Sequence, residues 1–174
     1  MNNGALSKFS LHSVNKEDIS ICWDILSKDV SILPASWPKH RKLFTNWILN
    51  TDDELYNFRN TIFNDNNHLV GIICAELVDE KSEKKFMLGR PGEVNISYVT
   101  FPEFARQGIA SFALGEMTNL VCKAGYAPIL RIAIWNKASA KVAQKCGYKK
   151  SNSAVVIQDY FDEEPTILDV YRFD

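Results

Sequence analysis

Hydrophobic residues recur along the chain with a helical and a strand-like period, and these two patterns predict the elements of the fold. Apolar positions at helical spacing predict four helices, which start after Asn15, after Ser36, near Gly108 and after Asn136. Trp37 and Pro38 would form the first turn of the second helix. Gly125 and Gly147 follow the last two helices, at the position where glycine often ends a helix.

Apolar runs of strand length lie between the predicted helices. They cover residues 9–14, 56–62, 69–77, 93–101, 129–135, 155–160 and 166–171. Residues 65–67 would join the second and third strands as a hairpin. The strand–helix–strand–helix order from residue 94 to 147 implies a right-handed crossover between parallel strands. The pattern therefore predicts an α/β fold with a mixed sheet.

Length and composition narrow the class of protein. The 174 residues suit a single domain over residues 1–174, and a net charge of −1 argues against binding to nucleic acid. Four cysteines and three histidines are scattered without metal-ligand spacing, so we expect no metal and reduced thiols in the cytoplasm. No apolar run approaches the roughly 20 residues of a membrane span, so we expect no membrane contact.

The first candidate site is the junction between the fourth strand and the third helix. Backbone N–H groups at a helix N-terminus have no intrahelical acceptor and favour a phosphate. Gly108 would let a phosphate approach the backbone, and Arg106 adds a positive charge. Neither the dinucleotide fingerprint nor a Walker loop is present. On this stretch alone, an ordinary strand-to-helix turn explains the sequence equally well.

The second candidate site is the helix that follows Asn136. Its residues have a structural explanation, with Asn136 as N-cap and Gly147 after the C-terminus. Taken with the first site, about 30 residues earlier, it resembles the GNAT acyl-CoA N-acyltransferases. Residues 105–110 match the family's pyrophosphate loop, and its N-x-x-S-x-x-x-x-x-x-x-G-[FY] signature is matched by Asn136, Ser139, Gly147 and Tyr148. This version is most similar to the RimJ and RimL branch of ribosomal-protein N-terminal acetyltransferases.

The resemblance implies the GNAT fold, in which a mostly antiparallel central sheet has one splayed parallel strand pair and flanking helices. It also implies a site for acetyl-CoA and none for a metal. The pantetheine arm would pair with the backbone of Tyr98, Val99 and Thr100 and would touch Asn136. The pyrophosphate would lie on the loop formed by Ala105, Arg106, Gln107, Gly108, Ile109 and Ala110.

Two positions depart from the family pattern. Ala105 stands where the loop usually has arginine or glutamine, and Ala143 stands where many relatives have a tyrosine as general acid. Backbone donors chiefly form the phosphate site, so we expect acetyl-CoA binding to survive the first change. The second leaves Ser139 as the hydroxyl at this helix, as in the RimL-type branch.

The resemblance further implies transfer of an acetyl group from acetyl-CoA to a primary amine, either a protein N-terminus or a small molecule. The neutral amine would attack the thioester within a ternary complex. The Val99 N–H is the candidate donor to the oxyanion, and Ser139 would hydrogen-bond the leaving thiolate or relay a proton to it. Glu93 is the candidate base, and Asn95, which could hold a water, is the alternative.

The acceptor pocket has fewer sequence signals than the acetyl-CoA site. Arg131 is a charge in an apolar strand, so we expect it to pair with a carboxylate, for which Glu93 is a candidate, or to lie at the acceptor site. The pocket would lie between the first two helices and the loop at 159–165 and would contain Trp23, Trp37, Trp47 and Tyr160. We expect most of these four side chains to pack in the core or in a lid. An acidic cluster in residues 159–164 could attract an amine.

A second interpretation keeps the fold but not the activity. Ala105, Ala143 and the absence of a strand glutamate at Arg131 would fit a degenerate GNAT domain that binds acyl-CoA as a sensor or scaffold. Ser139 favours the enzyme instead. In either case, an exposed closing strand could pair across a homodimer.

Overall fold

The strands form one mixed sheet. A computed structural model describes residues 8–34, 37–50, 58–78, 89–151, 155–157 and 166–173. The strands in this part are β1 Phe9–Ser13, β2 Phe58–Asn64, β3 Leu69–Leu77, β4 Glu93–Thr100, β5 Ala127–Ala133, β6 Tyr148–Lys150, β7 Val155–Ile157 and β8 Thr166–Phe173. Their order is β1-β2-β3-β4-β5-β8-β6, and β7 pairs with the start of β8.

Four α-helices of the described residues flank the sheet. They are α1 Lys16–Leu26, α2 Arg41–Leu49, α3 Ile109–Lys123 and α4 Lys137–Lys145. Short 3-10 turns lie at Val30–Ile32 and Pro102–Phe104. Every described strand pair is antiparallel except β4 and β5, which run parallel. The predicted fold class is therefore confirmed, with one parallel pair in a mostly antiparallel sheet.

Hydrophobic packing on the two faces of the sheet explains the alternation along β4. Val94 and Ile96 face a cluster that includes Ala113 and Met117 of α3. Val99, at an odd position, instead joins the cluster formed with α1 and α2. Because successive side chains of a strand point to opposite faces, β4 contributes to both cores and lies between the two layers of helices.

Most of the helix ends agree with the sequence prediction. Asn15 caps α1, since its side chain accepts a hydrogen bond from the Asp18 N–H at 2.9 Å. Gly108 is the N-cap of α3 in the left-handed region, with φ of 87°, and Gly125 follows that helix with φ of 85°. These are conformations that glycine adopts without steric cost.

The structure moves the boundaries of one helix and one strand and adds a strand that was not predicted. The second helix begins at Arg41, because Trp37 turns back to donate its N–H to Pro34 O and buries its ring completely. Strand β5 ends at Ala133, and Trp135 is 68% exposed. Strand β6 was not predicted, because three residues are too few to show a period.

Some sequence predictions lie outside the described residues. They concern Ser36 as a helix cap, the ends of two predicted strands at 56–57 and 158–160, and the loop at 159–165 with its acidic cluster and Tyr160.

Candidate active site

The central feature of the candidate site is a gap between β4 and β5. The two strands pair at only three positions, from Glu93 with Ala127 to Asn95 with Ile129. Beyond Asn95 the strands diverge, while β5 continues to pair with β8 up to Ala133. Among the described residues, the second half of β4 therefore has no strand partner on this side. This is the splayed parallel pair that the sequence resemblance predicted.

The register of β4 decides which of its backbone groups face the gap. Phe101 N–H donates to Val70 O at 2.9 Å, and Val78 N–H donates to Glu93 O at 2.8 Å. Since hydrogen-bonded pairs alternate along an antiparallel ladder, this continuous register directs the backbone of Val99 to β3. The Val99 N–H is therefore not available for an oxyanion, and that prediction is wrong.

Tyr98 and Thr100 have the opposite backbone orientation. The Ala127 N–H donates to Gly92 O, which shows that the even-numbered residues of this segment face β5. Tyr98 and Thr100 lie past the last paired position, so their N–H and C=O groups point into the gap. They can bind an extended ligand as a neighbouring strand would.

A cavity of about 540 Å³ occupies the gap. Residues from both faces of the sheet line it. Ser97, Leu33 and Pro34 come from the side of α1 and α2, and Tyr98, Asn136 and Ser139 come from the side of α3 and α4. The cavity thus joins the two sides of the sheet, as a site for two substrates requires.

Two hydroxyl groups meet on the α4 side of the cavity. The Tyr98 Oη is buried and makes no hydrogen bond within the described residues. Burial raises the pKa of Tyr98 to about 12, and the nearby Ser139 hydroxyl opposes that rise. The two groups are close enough to affect each other, but their geometry falls short of a hydrogen bond. Tyr98 therefore stays protonated near neutral pH and can donate to a ligand.

Asn136 fixes the position of Ser139. Its Oδ1 accepts the Ser139 N–H at 3.0 Å and thereby caps α4. This confirms the predicted N-cap. Because the oxygen is used in the cap, the amide nitrogen of Asn136 is the part that remains for a ligand.

The loop before α3 presents a row of backbone donors. Arg106 and Gly108 both have positive φ, 65° and 87°, which turns the chain sharply before the helix. In the described part of the chain, none of the N–H groups of residues 106–111 donates to a backbone acceptor. A Cβ built on Gly108 meets no atom of the described residues within 4 Å, so this part of the structure leaves the space over the helix N-terminus open. Such an arrangement suits a phosphate.

Glu93 lies at the closed end of the strand pair. Its carboxylate accepts hydrogen bonds from Arg172 Nε at 2.6 Å and from the Arg90 N–H at 2.7 Å. It is not among the described residues that line the cavity. Arg172 is thus the partner of Glu93, so the choice of Glu93 as the carboxylate that pairs with Arg131 is wrong. Arg131 itself lines the cavity, which is the alternative that the sequence left open.

The three described tryptophans that were expected at the acceptor pocket belong to the packed core. Trp37 is fully buried and donates its Nε1–H to Ser97 Oγ at 2.7 Å. Trp47 donates its Nε1–H to Glu76 Oε1 at 2.8 Å, and Trp23 packs against Phe44 with the two rings tilted. Their contribution to the cavity is indirect, since Trp37 holds the side chain of Ser97 at its wall.

Two features of the site were missed from the sequence. The side chain of Tyr98 was assigned no role, although the alternation along β4 placed its hydroxyl on the same face as the apolar Val94 and Ile96. The Arg172–Glu93 ion pair joins residues 79 positions apart, and no local pattern indicates it. Asn95 is buried and its Oδ1 accepts no hydrogen bond from the described residues, so its role in holding water stays a prediction.

The chain belongs to the GNAT acetyltransferase family. The family model described as "Acetyltransferase (GNAT) domain" matches residues 11–149. No curated protein sequence matches the chain. The described residues contain no cluster of three or more histidine, cysteine, aspartate or glutamate residues that could hold a metal. They also contain no helix long and apolar enough to cross a bilayer.

Several solved structures share the fold. Spermidine N-acetyltransferase from Vibrio cholerae, in complex with CoA and spermine, aligns with a TM-score of 0.73 at 10% identity over 95% of each chain. A dodecameric structure of that enzyme aligns with a TM-score of 0.70 at 9% identity over 95% of this chain and 93% of that one. A protein named as a probable acetyltransferase gives 0.74 at 15% identity over 96% and 93%. At these identities the likeness establishes the fold, a GNAT N-acetyltransferase fold.

Proposed function

We propose that this protein is an acetyl-CoA-dependent N-acetyltransferase that acetylates a primary amine, either a protein N-terminus or a small molecule. The observation that carries the proposal is the gap between β4 and β5, where the hydroxyls of Tyr98 and Ser139 lie beside unpaired backbone groups. We further propose that residues 1–174 form a single domain of the RimJ and RimL type that works in the cytoplasm.

Acetyl-CoA would bind along the gap and over the loop before α3. The pyrophosphate would accept hydrogen bonds from the N–H groups of residues 106–110, which have no backbone acceptor among the described residues. Ala105 would contribute no side-chain donor. The pantetheine arm would extend past Tyr98 and Thr100. The backbone of Val99 would make no hydrogen bond to it, because that backbone faces β3. The Asn136 amide nitrogen would donate to the same arm.

The reaction would be a direct attack of the neutral amine on the thioester. As the N–C bond forms, negative charge develops on the carbonyl oxygen, and a backbone N–H of Tyr98 or Thr100 would stabilise it. The C–S bond then breaks, and Ser139 would donate a hydrogen bond to the leaving sulfur. A positioned donor of this kind typically contributes about 10²-fold to the rate.

Proton removal from the amine would fall to water in the cavity. Glu93, the base suggested by the sequence, is held by Arg172 and the Arg90 N–H outside the described cavity lining. We therefore assign it the structural role of holding the closed end of the strand pair. A comparison of stability with activity in a Glu93 variant tests this assignment.

The acceptor would enter from the side of α1 and α2. Spermidine N-acetyltransferase of Vibrio cholerae shares the fold and was solved with spermine, so a polyamine is one class to test, beside a peptide N-terminus. That enzyme also has a dodecameric structure, and we propose that this chain self-associates at least as a dimer.

A catalytically degenerate acyl-CoA sensor is the second candidate. It is favoured by one observation, the engagement of both Glu93 oxygens in hydrogen bonds. Such a protein would bind acetyl-CoA but would acetylate no amine, whereas the enzyme would do both.

Calorimetric titration with acetyl-CoA tests the cofactor assignment. We expect saturable binding by the wild-type protein and its loss in Gly108→Glu, because the new carboxylate would stand where the phosphates bind. Gly125→Glu is a matched control, since Gly125 has nearly the same φ and equally open surroundings at the other end of α3. It should be destabilised to a similar degree and still bind.

The titration has two decisive negative results. Absence of binding by the folded wild-type protein would exclude both the enzyme and the sensor. If Gly108→Glu and Gly125→Glu lost acetyl-CoA binding equally, the loop before α3 would not be the phosphate site. A screen of amines, with spermidine and a peptide with a free N-terminus as first probes, would then separate enzyme from sensor.

A further inference from the structure

The hydroxyl groups of Tyr98 and Tyr148 are both buried but differ in their hydrogen bonding. The Tyr148 hydroxyl is paired with Thr118 Oγ1 at 2.6 Å inside the core. The Tyr98 hydroxyl is also buried but has no hydrogen-bond partner among the described residues. Buried polar groups in folded proteins are nearly always paired, so an unpaired one requires an explanation.

The location of Tyr98 supplies that explanation. Its side chain lines the cavity together with Ser139, the first candidate for contact with the thioester. The ring comes from β4, on the face that packs against α3, and reaches the N-terminal half of α4 across the gap. Ala143 lies on α4 where the family resemblance implies a tyrosine, and it is fully buried. Strand β4 thus places a phenol hydroxyl in the cavity, whereas the family pattern would place one there from α4.

We propose that Tyr98 is a catalytic residue whose hydroxyl donates a hydrogen bond to the sulfur of the leaving CoA, in concert with Ser139. The proposal rests on the proposed acetyl transfer. When the C–S bond breaks, its electron pair stays on sulfur, and the Tyr98 O–H stabilises that charge without giving up its proton. The amine proton leaves to water, and the thiolate later takes a proton from solvent.

A hydrogen bond fits this site better than complete proton transfer. Burial raises the pKa of Tyr98 to about 12, whereas a free thiol has a pKa of roughly 8.5. Transfer of the phenol proton to the thiolate is therefore uphill. Because the phenol remains protonated throughout the neutral range, it can donate to the sulfur at any pH at which the enzyme would work.

The titration of bound CoA tests this inference without an acceptor. The thiolate absorbs in the ultraviolet, so the thiol pKa of CoA on the protein can be measured as a difference spectrum against the complex with desulfo-CoA. A hydrogen bond to a charged acceptor such as a thiolate is stronger than one between two neutral groups. We therefore expect Tyr98→Phe to raise the pKa of the bound thiol by about one unit relative to wild type.

Tyr148→Phe is the matched control, because it removes the same atom from a tyrosine outside the described cavity lining. It should leave the thiol pKa unchanged and lower the Tm by about 2–4 °C through loss of the Thr118 hydrogen bond. Tyr98→Phe should not lower the Tm of the free protein, since its hydroxyl has no partner among the described residues.

The outcomes distinguish a failure of the proposed function from a failure of the role proposed for Tyr98. If the wild-type protein does not bind CoA, the proposed function fails and this inference fails with it. If CoA binds but its thiol titrates identically in wild type and Tyr98→Phe, the proposed function stands and the role of Tyr98 is overturned. A Tm that falls as much in Tyr98→Phe as in Tyr148→Phe would likewise show a structural role for the Tyr98 hydroxyl.

Discussion

The two ends of β4 differ in how their polar groups are used. At the closed end, where β4 pairs with β5, the Glu93 carboxylate is buried and fully engaged by Arg172 and the Arg90 N–H. At the open end, the Tyr98 hydroxyl is buried without a partner in the described residues. A charge that is paired at one end stabilises the fold, whereas a donor left unpaired at the other is free to serve a ligand.

The difference arises from the geometry of one parallel strand pair. β5 follows β8 over five registered positions and so leaves β4 after only three. The ion pair between Glu93 and Arg172 joins β4 to β8 across the end of β5, which explains its position at the closed end. Variants at each end should therefore separate stability from activity.

Glu93→Ala tests the closed end. The change removes the carboxylate of a largely buried ion pair with Arg172, so we expect the free energy of unfolding to fall by about 3 kcal/mol in urea titration. Below the unfolding transition, kcat should stay within a few fold of wild type. The exposed Glu116 provides a control, and Glu116→Ala should change stability by about 0.5 kcal/mol or less. A stable Glu93→Ala variant with kcat reduced about 10³-fold would instead restore Glu93 as the base.

Ser139→Ala tests the open end. We expect kcat to fall about 10²-fold with an unchanged dissociation constant for acetyl-CoA, because the hydroxyl acts on the sulfur only as it leaves. Stability should hardly change, since the N-cap uses the Ser139 backbone N–H rather than its side chain. Single-turnover kinetics measures the rate of acetyl transfer, and calorimetry measures the dissociation constant for acetyl-CoA. Wild-type kcat in this variant would contradict the role of Ser139.

The contrast between the two ends also shows what sequence can reveal. The loop before α3 and the start of α4 were predicted because they depend on local features, a glycine with positive φ and an asparagine cap. The partner of Glu93 was not, because the contact spans 79 positions. The backbone direction of Val99 also escaped prediction, since it depends on the register with β3.

Asn136→Ala and Asn15→Ala form a pair of cap variants with similar geometry. Each asparagine accepts a backbone N–H three residues on, at 3.0 and 2.9 Å. Both variants should lose about 1 kcal/mol of stability. Only Asn136→Ala should also weaken acetyl-CoA binding, by roughly five- to tenfold, because Asn136 lines the cavity. Equal acetyl-CoA affinities in the two variants would assign Asn136 to capping alone.

The smallest expected effect concerns alkaline pH. The folded-state pKa of Tyr98 is raised to about 12 by burial, above its ordinary value of 10.0. Because the neutral form is the one that the fold favours, its contribution to stability is fully present below pH 10 and is lost as the pH rises towards 12. Between pH 8 and pH 11, wild type should therefore lose about 1 kcal/mol more stability than Tyr98→Phe. Urea titrations at the two pH values measure this difference. Identical losses would mean that Tyr98 is more open to water than its position on β4 indicates, and the contrast between the two ends of the strand would then be weaker.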